Sequence, residues 1–102
     1  MTSETSASIA AWGDEAFGPV SDLTVLTRRA RAEFDELEAA LAAGNLAHAA
    51  EETADVVILL HRLVALAGGD LAEEVDAKMQ INRQRTWRPS GDGVGQHIER
   101  SE

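Results

Sequence analysis

Residues 46–67, LAHAAEETADVVILLHRLVALA, constrain the fold more than any other stretch. Neither proline nor glycine interrupts them, and their Ala and Leu content favours helix. The second half is apolar on nearly every face, which marks a helix covered on most sides. A chain of 102 residues buries only a modest core of its own. So apolar a helix predicts further burial against other copies of the chain, as a homodimer or as a homotetramer built from two dimers. Asp55 stands at the head of the apolar run, with Glu51 and Glu52 just before it. A buried, ionised carboxylate is very costly unless it is paired or binds a metal. The helix therefore predicts a compensating charge near Asp55.

The remaining periodicity is also helical. Leu23, Leu26, Ala30, Phe34, Leu37 and Leu41 recur at three- and four-residue steps, predicting a helix over 23–43 with one apolar stripe. Gly44 and Asn45 break it, and Gly68-Gly69 close the helix over 46–67. Asp70 and Glu73 form a capping-box-like start to a third helix that runs to about residue 85. Upstream, 9–16 predicts a short helix broken near Gly13, and 17–22 a turn in which Ser21 or Asp22 caps the next helix. The fold class is all-α: an antiparallel helical bundle of two long helices, a third helix and a short N-terminal helical lead-in, completed by oligomerisation. Residues 1–11 read as a flexible lead-in, 12–87 as the helical domain and 88–102 as an irregular tail.

Composition narrows the partners. Eighteen acidic residues against nine basic ones give a formal charge of −9. That balance argues against nucleic-acid polymers and anionic membranes, which need a basic surface, and suits divalent cations. There is no cysteine, so disulfides and thiolate metal sites are excluded. The apolar run 56–67 is interrupted by His61 and Arg62 and is too short to span a bilayer. The first twelve residues lack the pattern of a signal peptide. A cytoplasmic protein is expected.

The acids are arranged in two matched pairs. Glu33 and Glu36 are three residues apart, as are Glu52 and Asp55, so each pair shares a helix face. A short connection makes the two helices antiparallel. Counted from Gly44-Asn45, both pairs lie about two to three turns away, at the same height. Four carboxylates meeting there need a cation, and oxygen-only ligation suits Mg²⁺ or Mn²⁺. Without such a meeting, pairs at this spacing are ordinary solvated acids. Lys78, Asn82 and Arg85 form one stripe on the last helix. The stripe suits phosphate oxygens, or is simply a basic face favoured near a helix C-terminus. Trp12 reads as an anchor for the lead-in, Phe34 as core, His61 as a hydrogen-bonded core or interface histidine and His48 as solvated. Trp87 reads equally as a stacking platform or as an anchor. His97 could close over the site or belong to a disordered tail.

Glu33-x-x-Glu36, fifteen residues, then Glu52-x-x-Asp55 resembles the EExxE…ExxD signature of the MazG-like all-α nucleoside triphosphate pyrophosphohydrolases. KMQINRQRTW at 78–87 is similar to the K-x-x-x-N-x-x-R element that follows in that family, and the lead-in around Trp12 to Pro19 and DGVGQHIE at 92–99 resemble a compact branch of it. The resemblance covers roughly 12–99. The chain departs from the motif at Ala32, where the family has its first Glu. The resemblance implies a Mg²⁺ site, with Mn²⁺ possible, at Glu33, Glu36, Glu52 and Asp55, with Glu36 accepting the proton of the attacking water. It implies that Lys78 and Arg85 hold phosphate oxygens, that Asn82 bonds sugar or phosphate, and that Trp87 lies against substrate. The implied activity converts a nucleoside or deoxynucleoside triphosphate to monophosphate and pyrophosphate, in house-cleaning or pool control. Two other readings stay open: a non-catalytic helical dimerisation or regulatory module, which Ala32 favours, and a phosphoribosyl-ATP pyrophosphohydrolase.

Overall fold

The computed structural model describes residues 3–98; the outermost parts of the expected lead-in and tail, 1–2 and 99–102, lie outside the described residues. Four helices are followed by a small hairpin: α1 Ser6–Phe17, α2 Thr24–Ala42, α3 Leu46–Leu66, α4 Leu71–Gln84, β1 Thr86–Pro89 and β2 Gly95–Ile98. α2 and α3 form the central helical hairpin, and α1 packs on α3.

Local chemistry sets the boundaries. Thr5 and Ser8 form a reciprocal capping box at the start of α1. The Asp22 carboxylate accepts from the Thr24 N–H at 3.0 Å and the Thr24 hydroxyl at 2.8 Å, leading into α2. Gly44, at φ 71°, makes the left-handed turn between α2 and α3. Asn45 Oδ1 then accepts from His48 N–H at 3.1 Å and caps α3. Asp70 caps α4 through the Glu73 N–H at 3.2 Å.

The lead-in is more ordered than its small polar residues suggest. α1 begins at Ser6, inside the segment expected to be flexible, and Ser6 is fully buried. Its N–H donates to Asp70 Oδ1 at 3.1 Å, and its hydroxyl accepts from Leu71 N–H at 2.7 Å. The same hydroxyl is in hydrogen-bond contact with His61 Nδ1, at 2.8 Å. One serine thus ties α1 to α3 and to the start of α4. Nor does Gly13 break α1. It is buried mid-helix, where an added Cβ would collide with the Arg62 guanidinium. The glycine serves close packing rather than helix termination.

The seam between α2 and α3 corrects the expected stripe. Leu26, Ala30, Glu33 and Ala40 of α2 are buried, opposite Ala49, Glu52 and Val56 of α3. Phe34 and Leu41, expected in the core, are 46% and 52% exposed. The buried line steps 26-30-33-40, one position from Phe34 and Leu41, and two carboxylates take the places of hydrophobes. The tail is not wholly irregular either. β1 and β2 pair antiparallel, with Trp87 opposite His97 and the rings 5.7 Å apart. No residue of α4 is buried, and no helix among the described residues is long and apolar enough to cross a membrane.

Candidate active site

The carboxylates meet because both helices place an acid on the seam, Glu33 on α2 and Glu52 on α3. One oxygen each from Glu33, Glu36 and Glu52 lies within 4.8 Å of the others. Glu33 and Glu52 are buried, while Glu36 is exposed at the rim. Arg29, one turn before Glu33, approaches its Oε1 at 3.1 Å. His48 Nε2 stands 3.4 Å from Glu52 Oε1. The other oxygen, Glu52 Oε2, is buried with no hydrogen-bond partner among the described residues. Hydrogen bonding with the Glu36 carboxyl, burial, and the charge of Glu36 push the Glu33 carboxyl above its usual range, against the opposing pull of Arg29. An orphaned carboxylate oxygen beside two further carboxylates fits a hard divalent cation, and the all-oxygen donor set fits Mg²⁺ or Mn²⁺.

Asp55 is placed differently from its expected burial. It is exposed in the single chain and lies beside the cluster rather than in it. Glu52 holds the seam position, and Asp55 flanks the seam at the mouth of a cleft of about 340 Å³. That cleft is also lined by Glu33, Trp12, Phe17, Ile58 and Arg62. Asp55 still lies near enough for its charge to raise Glu33 further. Ala32, the departure from the motif, is on an exposed face of α2, off the seam. On its other side the cluster borders a second cleft, lined by Glu36, Asn45, His48 and Glu52.

The basic stripe stands apart. Lys78 is exposed and Asn82 half-buried on α4, Arg85 is half-buried just past the end of that helix, and none of the three lines either acidic cleft. Trp87 donates Nε1–H to the Asn82 carbonyl at 2.8 Å, which fixes the start of the hairpin to the end of α4. Asn82 Oδ1 is buried without a donor among the described residues.

Sequence reasoning missed five contributors: Phe17, Arg29, Ile58, Leu59 and Arg62. Trp12 meets Phe17 edge to face at 5.3 Å, and together they wall the cleft. Arg29 carried a usable signal, since it precedes Glu33 by one helical turn. Arg62 carried a weaker one, as a lone cation in an apolar run.

No family model matches the chain. A dATP/dGTP diphosphohydrolase of Cyanophage S-2L is 42% identical over 62 residues, 61% of this chain and 59% of that protein. A dATP/dGTP diphosphohydrolase of Salmonella phage PMBT28 is 38% identical over 92 residues, 88% of this chain and 29% of that protein. The chain therefore spans less than two thirds of the length of either curated relative. Among solved structures, the Cyanophage S-2L MazG-like pyrophosphohydrolase bound to dGDP and three catalytic Mn²⁺ ions per active site aligns with a TM-score of 0.71. It is 34% identical over 94% of this chain and 91% of that chain. An all-α fold with converging carboxylates and this degree of identity define the class: the chain belongs to the MazG-like pyrophosphohydrolases.

Proposed function

We propose that the chain is a Mg²⁺- or Mn²⁺-dependent pyrophosphohydrolase acting on purine deoxynucleoside triphosphates. The observation that carries this is the convergence of Glu33, Glu36 and Glu52 with Glu52 Oε2 left unpaired in the seam. The names of the relatives and the dGDP and Mn²⁺ bound by the structural neighbour support the substrate class and the metal. Glu33, Glu36 and Glu52 would hold the metal, with Asp55 joining from the mouth of the cleft. When bound, the metal neutralises phosphate charge and lowers the pKa of water.

The chain's own groups then perform the rest. Water oxygen bonds to the α-phosphorus as the bond from that phosphorus to the α–β bridging oxygen breaks, giving the monophosphate and pyrophosphate. Glu36, at the exposed rim, accepts the water proton. Arg29 holds Glu33 in place. The wall of Trp12, Phe17 and Ile58 shelters the base from water.

Lys78 and Arg85 would take phosphate oxygens, Asn82 sugar or phosphate, and Trp87 a substrate face. They stand on α4 and at the start of the hairpin after it, outside the clefts of their own chain's acids, so this reading requires a homodimer or tetramer in which this end of α4 reaches a partner's cleft. The reaction belongs in the cytoplasm, with the nucleotide pool. The test is pyrophosphate release from a panel of NTPs and dNTPs, with Mg²⁺, Mn²⁺ or EDTA, for wild type, Glu52→Gln and Asp55→Asn. Metal-dependent release, lost in folded variants, is expected. No turnover on any nucleotide, with no metal effect on melting, would instead identify a non-catalytic module.

A further inference from the structure

Ser6 is polar, yet it has no exposed surface. It opens α1 and joins that helix to two others. Its N–H donates to Oδ1 of Asp70, the cap of α4, at 3.1 Å. Its Oγ accepts from Leu71 N–H at 2.7 Å and lies 2.8 Å from Nδ1 of His61 on α3. Without the hydroxyl, the Leu71 N–H and the imidazole would each lose a partner in a part-buried junction, which is unfavourable.

This junction fastens a helix that has little else to hold it. The residues that α1 buries are Ser6, Ala10 and Gly13, all small. Hydrophobic stabilisation scales with the apolar area removed from water, so such a face contributes little. The large side chains of α1 do not anchor it, since Trp12 and Phe17 are 54% and 71% exposed. Yet those two rings wall the cleft that Glu33 and Asp55 border. α4, which carries Lys78 and Asn82, buries no residue and begins at the same junction. The acids lie on neither helix: Glu33 and Glu36 belong to α2, Glu52 and Asp55 to α3. The parts that would hold metal and the wall that would hold nucleotide are therefore fixed by different contacts.

We infer that Ser6, clasped between His61 and Asp70, is a positioning residue for nucleotide binding: it sets the Trp12–Phe17 wall against α3 without touching substrate. The inference rests on the proposed nucleotide reading of the cleft and adds what holds the cleft in shape. The test uses the full chain as wild type, Ser6→Ala, His61→Leu and His61→Asn. Ser6→Ala removes the hydroxyl and His61→Leu the imidazole, whereas His61→Asn returns a hydrogen-bonding amide near the place of Nδ1. Mn²⁺ affinity without nucleotide is read by electron paramagnetic resonance. Binding of dGMP and dAMP with Mn²⁺ is read by calorimetry, and kcat and KM for dGTP and dATP by pyrophosphate release. Amide hydrogen exchange, melting and oligomeric state are followed for each variant.

Ser6→Ala and His61→Leu should raise KM and weaken monophosphate binding about 3- to 10-fold, the scale of one lost hydrogen bond. Their kcat and Mn²⁺ affinity should stay at the wild-type level, the mark of binding lost equally from ground and transition states. Exchange should quicken along α1 and at the first turn of α4, and not along the α2–α3 seam. His61→Asn should behave as wild type. A lower melting temperature with KM unchanged would make the junction merely structural and overturn the inference. A parallel fall in Mn²⁺ affinity, kcat and nucleotide binding would overturn it too, because the acidic centre itself would then be damaged. Should Ser6→Ala fail to fold, the two His61 variants decide by the same readings. If wild type binds the monophosphates but hydrolyses no triphosphate, the catalytic reading fails, while weaker binding in Ser6→Ala still upholds this inference. If wild type binds no nucleotide, both fail.

Discussion

Gly13 and Arg62 show how one residue's absence of atoms fixes another's position. In an exposed helix, Gly to Ala gains about 1 kcal/mol of propensity. Here the new Cβ meets the guanidinium, and overpacking of this kind costs about 1–3 kcal/mol. Gly13→Ala should therefore lower the melting temperature, as calorimetry would show. Glu33 gives a sign-specific prediction. Its carboxyl is raised above the ordinary 4.5, chiefly by the Glu36 carboxyl. The folded state then binds a proton more tightly than the unfolded one, so the contribution is fully present below the ordinary value and lost as pH rises through the raised one. Metal-free Glu33→Gln should be more stable than wild type near pH 7, and the gap should close toward pH 4. With Mn²⁺ the order should reverse, because only wild type gains the full binding energy; urea titrations in EDTA and in Mn²⁺ check both. The acids were legible as residue types and spacings, but their burial was not. Asp55 drew attention because its neighbours in sequence are apolar, whereas burial follows the seam, which passes through Glu52 and leaves Asp55 beside it.

Among the elements, apolar periodicity and the breaks at Gly44-Asn45 and Gly68-Gly69 placed the long helices, although the residue at the start of α2 is Leu23, with no side-chain cap, rather than Ser21 or Asp22. Asn45 between two helical periods and Asp70 after paired glycines each accept the hydrogen bond their position demands. Asn45→Ala should cost about 1 kcal/mol by denaturant titration. Asp70 is held below its usual range by the Ser6 and Glu73 N–H groups, so its contribution is present above the ordinary carboxylate range and lost as pH falls. What the sequence concealed was long-range. The anchoring of α1 depends on Ser6 meeting residues 55 and 64 positions away, and no local pattern encodes such a meeting. The hairpin is concealed for a related reason. Its four-residue strands are exposed throughout and lack the alternation that reveals a strand with one buried face.

At the scale of the molecule, the chain is open. Its radius of gyration is 16.4 Å, against roughly 13 Å for a compact domain of this length. α4 leaves Val75, Met79 and Ile81 at 51%, 39% and 45% exposure, and Val57 and Leu66 of α3 are also uncovered. Those faces are what the proposed assembly would cover. Val75→Glu combined with Met79→Glu should yield monomers in sedimentation experiments, and dilution of wild type should lower its melting temperature. If wild type stays monomeric at high concentration, the shared-cleft arrangement is wrong. The seam of α2 and α3 carries a further consequence. Where other helical hairpins seat leucines, this one seats Glu33 and Glu52, so a bound ion would act as part of the interior. Starved of that ion, the hairpin would open more often and expose its backbone to proteases. The lifetime of the protein in a cell would then track the free metal supply, making abundance as well as catalysis answer to the same ion.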